Sequence, residues 1–330
     1  METLAELTGG DKERPSSYLE RMERDPLEIA RCPPHCLAEA LTLVLSDIAP
    51  SQRGEIVRGL LKFDDPAELV NEPLYIALRG ERLCGAAWGQ RQTGNIALFW
   101  PPQLVPGEDD QTALQLAKSV IRVLDDTAIE MTQVLLPSSD AEAAPILQAV
   151  DFHHLAELLY MSCEADRFPT GPPTASELEF EAYSGAKRGR VMAIVERTYE
   201  RTLDCVGLNG MRTINDVITG YQGTGVFRPE NWRIIRRCGQ DVGVLLLTDH
   251  PQARHWELMY MGLVPESRGQ GCGAAITQYA KWLARSAGVE RIVLAVDAAN
   301  TPALRMYRTA GFEMWDRRSV YVRFPAKLRG

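Results

Sequence analysis

The sequence predicts an α+β fold in two tandem domains that share one plan, each a twisted mixed sheet, mostly antiparallel, flanked by helices. Three observations predict it. The chain has 330 residues, more than one hydrophobic core usually organises, so two domains of about 150 residues each are expected. A Pro/Gly/Thr stretch over 167–174 stands near the middle as a linker. On either side of it the same order of strand and helix signals occurs, with Phe152 and Phe312 in matching places 160 residues apart.

Residues 1–25 read as a flexible N-terminal tail, because Gly9 to Ser17 supplies turn formers and charge without apolar periodicity. The first domain, 26–166, reads as strand 27–31, helices 35–48 and 51–62, strands 74–79, 82–90 and 95–100, helix 110–124, strand 131–136, helix 140–149 and strand 153–163. The turn Arg79-Gly80-Glu81-Arg82 joins two β-rich runs as a hairpin, which makes the sheet partly antiparallel. After the linker, 167–175, the second domain, 176–330, repeats the series: strand 178–182, helices 186–202 and 213–221, strands 232–237, 242–248 and 256–264, helix 271–286, strand 291–297, helix 301–310 and strand 315–324.

With 45% hydrophobic and 24% charged residues the chain has the composition of a soluble globular protein. A net charge of −8 provides no general attraction for nucleic acid or anionic membrane, so neither is expected as a partner, and any polyanion site must be local. The seven dispersed cysteines form no disulfide framework, and Cys32, His35 and Cys36 lack a second pair of ligands, so no metal is expected. Neither a signal peptide nor a membrane span is legible, and a cytoplasmic location is expected.

Chemistry is concentrated between Trp256 and Ile276, a β-rich strand followed by a Pro-marked turn, a glycine-rich loop and an amphipathic helix. Gly269, Gly271 and Gly273 remove Cβ atoms where successive N–H groups converge at a helix N-terminus, an arrangement suited to phosphate oxygens, with Arg268 as a mobile cation. A dinucleotide-binding unit is excluded because an antiparallel hairpin precedes the loop, and a Walker loop because no Lys-Ser/Thr follows the glycines.

Arg268-Gly-Gln-Gly271-Cys-Gly273 resembles the central signature of the GNAT superfamily, Arg/Gln-x-x-Gly-x-Gly/Ala. The segment from Asn300 through Ala303 and Tyr307 to Gly311 and Phe312 is similar to the family's second cofactor motif. The resemblance implies acetyl-CoA or another acyl-CoA as co-substrate, no metal, and a cofactor site formed by Leu263, Val264, Arg268, Gly269, Gln270, Gly271, Cys272, Gly273, Asn300, Ala303 and Tyr307. It implies a backbone N–H at a strand bulge, about Leu263, polarising the thioester, and Tyr307 as the acid that protonates the leaving thiolate. Glu257, eleven residues before Arg268, matches the spacing of the family's strand glutamate and is the candidate base. Cys272 is expected to serve as backbone support.

Stepping back 160 residues from these positions lands on Glu108, Gln111, Ala113, Ala97, Leu147 and Asp140, none of which keeps its counterpart's chemistry. The first domain therefore reads as an eroded copy without a cofactor motif that walls the acceptor cleft, an arrangement similar to the mycothiol synthase branch. The acceptor, a primary amine of a small molecule or peptide, is expected near Tyr199, Asp204, Asn209 and Arg212, with Asp204 facing the ammonium. The expected function is N-acyl transfer in a ternary complex; the alternative is a non-catalytic acyl-CoA sensor, which would keep the loop but has no need of Tyr307 and Glu257.

Overall fold

The computed structural model describes residues 25–63, 71–137, 143–173 and 177–326; most of the expected tail and the last part of the expected linker lie outside them. Among the described residues are twelve strands, mostly antiparallel, flanked by helices. Contacts divide the chain into two compact units, one of Met1–Trp88 with Trp100–Val123, the other of Gly89–Phe99 with Leu124–Gly330.

In the first unit β1 (Leu27–Arg31), β2 (Leu74–Arg79) and β3 (Arg82–Gln92) form an antiparallel meander. The expected hairpin turns at Gly80, whose φ of 61° is left-handed and favours glycine. Helices α1 (Leu37–Val44) and α2 (Pro50–Phe63) cover the meander, packing Leu41, Leu45 and Val57 onto Leu74, Ile76 and Trp88. Helix α1 starts later than expected because Pro34 opens a 3-10 turn over Pro34–Cys36. Helix α3 (Asp110–Asp125) follows.

The second unit contains the start of β4 (Ile96–Leu104), then β5 (Met131–Pro137), α4 (Ala143–Ala149), β6 (His153–Glu164), β7 (Leu178–Ala182), α5 (Arg188–Tyr199), α6 (Ile214–Gly223), β8 (Trp232–Arg237), β9 (Gln240–His250), β10 (His255–Leu263), α7 (Cys272–Ser286), β11 (Arg291–Asp297), α8 (Thr301–Thr309) and β12 (Glu313–Arg323). Its strands lie in the order β4, β5, β12, β6, β11, β10, β9, β8, β7. Among the described residues of this unit, β4 with β5 and β10 with β11 run parallel and the other pairs antiparallel.

This order exchanges the last strands of the two sequence halves. β6, from the first half, lies between β11 and β12, while β12 lies between β6 and β5. Leu159, Met161 and Cys163 of β6 pack with Ile292, Leu294 and Val296 of β11, Ile276 and Ala280 of α7, and Leu304 of α8. A first-half strand thus completes the second half's core.

The repeat extends to the pattern of burial: β1 and β7, β2 and β8, and β4 and β10 each bury the same positions in the same sequence. Register corrects the uniform separation of 160 residues. Ile96 faces Met131 as His255 faces Arg291, so Glu257 corresponds to Leu98, not Ala97. The turn after the strand is longer in the second half, because α3 starts at Asp110, six residues after Leu104, and α7 at Cys272, nine after Leu263. The extra residues hold the glycines.

Candidate active site

The parallel pairing of β10 with β11 covers His255, Trp256 and Glu257 alone. Beyond Glu257, β10 stays with β9 and β11 stays with β6, so the two strands part and leave a fork. The bulge expected at about Leu263 lies earlier, between Leu258 and Tyr260, with Met259 as the extra residue, since the ladder to β9 is regular from Tyr260 to Leu263. Val264 N–H donates to the Val242 carbonyl at 2.9 Å and is spent on the sheet. Leu263 has the opposite orientation: its carbonyl accepts from Arg268 Nε at 3.0 Å, and its N–H shares that edge, on the fork side.

At the end of β10 a 3-10 turn, Pro265–Ser267, leads into the glycine loop. Gly269 and Gly271 have φ of 73° and 78°, left-handed values that a side chain would strain, and a Cβ on either would meet only open space. Gly271 is the N-cap of α7 and offers no side chain, so the first-turn amides of the helix, from Cys272 onward, are left to a ligand. Gly273 has a different reason: a Cβ there would stand 2.7 Å from Met306 Sδ, so its absence lets α8 approach α7. Cys272 is buried at the helix start.

Arg268 is not the mobile cation the sequence suggests. Its NH2 donates to the Thr198 carbonyl at 2.7 Å, and its NH1 donates to the carbonyls of Glu200 and Arg201 at 2.8 and 2.9 Å. Thr198 is in the last turn of α5, where carbonyls lack an intrahelical partner, and Glu200 and Arg201 follow directly on it, so the three carbonyls form a site that favours a cation. Arg268 therefore ties the loop to α5. A second guanidinium, missed by sequence reasoning, reaches the loop from the β8–β9 hairpin: Arg237 NH1 donates to Gln270 Oε1, and Gln270 Nε2 donates to the Glu266 carbonyl at 2.6 Å.

The matching turn of the first half supplies its own anion. Asp109 caps α3 by accepting the Thr112 N–H and hydroxyl, both at 2.9 Å. Glu108 beside it is pushed up by burial, but the Arg79 guanidinium bonded to it holds it below the usual carboxylate range.

Asn300 caps α8, its Oδ1 accepting the Ala303 N–H at 3.3 Å, and Ala303 packs against the core. Tyr307 is buried on α8, with its ring 5.5 Å from that of Phe312. Burial pushes its phenol well above the usual range, and the charge of Asp204 adds to the effect, so the group keeps its proton through neutral pH. Glu257, at the base of the fork, has Oε2 3.1 Å from His250 Nε2.

Residues 218–312, which hold the fork, the loop and both α7 and α8, match the Acetyltransferase (GNAT) family. This stretch belongs to the GNAT acetyltransferase superfamily. Family members use acetyl-CoA as acyl donor and acetylate amines. A mycothiol acetyltransferase of Thermobispora bispora is 35% identical over 102 residues, which cover 29% of this chain and 35% of that protein. The alignment thus spans about a third of that relative's length. A GCN5-related N-acetyltransferase from Sphaerobacter thermophilus superposes with a TM-score of 0.63 at 17% identity, covering 90% of this chain and 95% of that one. A tandem GNAT protein from the clavulanic acid biosynthesis pathway gives 0.51 at 15% identity, covering 91% and 99%. At these identities the two structures speak for the fold, a tandem GNAT arrangement. Among the described residues no helix is long and apolar enough to cross a membrane, and no cluster of His, Cys, Asp or Glu is placed to hold a metal.

The sheet face opposite the α7 and α8 core carries Glu257, Val293 and Ser162 in one row and Ala295, Tyr160 and Asp316 in the next. Of the four acceptor candidates, Asp204 is hydrogen-bonded to this face through β11. Its Oδ1 accepts the Asp297 N–H at 3.1 Å, while Asp297 Oδ2 accepts the Cys205 N–H at 3.0 Å. Burial pushes the Asp204 carboxyl up, an effect the Asp297 charge reinforces. Tyr199 packs edge-on to Tyr260 with centroids 6.0 Å apart, and burial pushes its phenol up. From the loop that joins α5 to α6, Arg212 donates to the Gly94 carbonyl of the β3–β4 turn at 2.6 Å, and Asn209 Nδ2 reaches back to the Tyr199 carbonyl at the end of α5 at 3.5 Å.

Sequence reasoning missed Asp297, Tyr160 and Trp315. Trp315 is the extra residue of a bulge in β12 between Met314 and Asp316, 60% exposed, with its ring 5.7 Å from that of Tyr160. Burial raises the Tyr160 phenol, and the Glu257 charge adds to it. Asp297 had a signal, a carboxylate ending the strand just before the Asn300 motif; Tyr160 had none, because its place depends on strand exchange.

Proposed function

We propose that the protein is an acetyl-CoA-dependent N-acyltransferase that acts on a primary amine of a small molecule or peptide by direct transfer in a ternary complex, in the cytoplasm. The observation that carries this reading is the open, glycine-formed start of α7 beside the β10–β11 fork, with the buried phenol of Tyr307 on the adjoining helix. Backbone amides from Gly271 to Gly273 would hold the diphosphate, and the fork would receive the pantetheine arm. The main-chain N–H of Leu263, or of the residues around the Met259 bulge, would polarise the thioester carbonyl. Similarity to mycothiol acetyltransferases over the aligned stretch supports acetyl as the acyl group.

In the transfer, the amine nitrogen forms a bond to the thioester carbon as the carbon–sulfur bond breaks. The ammonium first releases one proton to solvent; the neutral amine then loses its second proton to Glu257, directly or through water, as Tyr307 donates its proton to the departing sulfur, and both side chains return to their starting states by proton exchange with solvent. Asp204 offers a negative charge to the incoming ammonium. The first half takes no CoA in this reading, because Asp109 and Glu108 fill the corresponding helix start with carboxylates. Purified full-length protein incubated with acetyl-CoA and a library of primary amines tests the proposal by the thiol released. Amine-dependent release supports it; tight acetyl-CoA binding with no release for any amine would favour a sensor instead.

A further inference from the structure

We infer that Arg237, on the β8–β9 hairpin, supplies the mobile cation that pairs with a phosphate group of CoA, either the diphosphate or the 3′-phosphate. The inference rests on the reading that acetyl-CoA binds at the start of α7.

A phosphate at the glycine loop needs charge beyond that of the helix amides, and Arg268 is committed elsewhere. With Leu263 included, its guanidinium donates to four main-chain carbonyls, at 2.7 to 3.0 Å. Turning toward a ligand would strand those acceptors, and the loop would lose its tie to α5. Arg237 is held differently. One NH1 bond goes to Gln270, a side chain inside the loop. Its Nε and NH2 pair with Glu177 at 3.0 and 2.8 Å, a carboxylate that is 71% exposed. An ion pair to so exposed a partner contributes little, so a phosphate displaces it at small cost. A guanidinium also matches two phosphate oxygens at once, which adds geometry to charge.

Position supports the same reading. β9 lies beside β10 in register, with Gly243 facing Leu263 and the Val242 carbonyl receiving the Val264 N–H, so the β8–β9 hairpin ends at the end of the sheet that carries the loop.

The test uses full-length protein and titration calorimetry with acetyl-CoA and with its form lacking the 3′-phosphate, for wild type, Arg237→Gln and Glu177→Gln. Arg237→Gln should weaken acetyl-CoA binding at least tenfold and flatten its dependence on salt, with the thermal midpoint of the free protein unchanged. Equal weakening toward both ligands assigns the diphosphate; weakening toward acetyl-CoA alone assigns the 3′-phosphate. Glu177→Gln should tighten binding a few-fold by removing the competitor. Wild-type affinity in both variants would overturn the role of Arg237 and leave the CoA site standing. Failure of the wild-type protein to bind acetyl-CoA would overturn both.

Discussion

Replacing Tyr307 by Phe removes one oxygen from the candidate site and little else. The ring is buried within the core formed with Leu304, Ala310 and Phe312, and its contact with Phe312 is through carbon, so the variant should fold as the parent does. The chemistry should change sharply. Burial first, and the charge of Asp204 second, hold the phenol protonated well above its usual range, which makes Tyr307 a proton donor rather than a base at neutral pH. Loss of a general acid costs about 10²- to 10⁴-fold in rate, roughly 3–5 kcal/mol of barrier. The assay is steady-state thiol release with the best amine found by screening, supported by calorimetry with acetyl-CoA. The expected result is kcat reduced by that factor with the acetyl-CoA dissociation constant within about threefold of wild type. Because the phenol stays protonated, the alkaline limb of the wild-type rate profile should not be the titration of Tyr307, and Tyr307→Phe should keep that limb. A kcat within threefold of wild type would refute the reasoning and leave water as the proton source.

Three further outcomes are expected. Glu257→Gln should lower kcat by about 10²-fold or more if the carboxylate takes the amine proton, and an unchanged rate would assign that step to water. For Asp204 the folded carboxyl is raised above its unfolded value, so its favourable contribution to folding is full below the ordinary carboxylate pKa and is lost as pH rises through the raised value. Asp204→Asn should therefore melt at or above the wild-type temperature at pH 7, with the advantage vanishing near pH 3, and KM for the amine alone should rise; equal changes in both KM values would refute the ammonium role. Arg268→Gln removes charged hydrogen bonds to the α5 end, and after allowance for partial exposure should cost about 2–3 kcal/mol in a urea melt. A loss below about 0.5 kcal/mol would show the tie to be dispensable.

Most of the elements were legible because their signals are local. Short apolar runs bounded by charged residues marked β8 and β11, and Asn300 and Gly271 marked the starts of α8 and α7. The glycine loop was legible because only a backbone needing left-handed φ at Gly269 and Gly271 calls for that spacing. Long-range pairing was not. Nothing in residues 153–164 says that the strand lies between β11 and β12, and so Tyr160 went unnoticed. Side-chain direction was also hidden. A guanidinium beside a phosphate-binding loop reads as a ligand for phosphate, yet the end of α5 lies close enough to take Arg268, and its unpaired carbonyls win. Asp204 was legible as a loop carboxylate, but its partner Asp297 comes from a strand more than ninety residues away.

A crystal structure of the protein grown with acetyl-CoA decides whether the glycine-formed start of α7 holds the diphosphate. Diphosphate oxygens should lie within about 3 Å of main-chain nitrogens between Gly269 and Ala274, with the pantetheine arm in the fork beyond Glu257. Density for the molecule at any other place, with the start of α7 left to solvent, would contradict it.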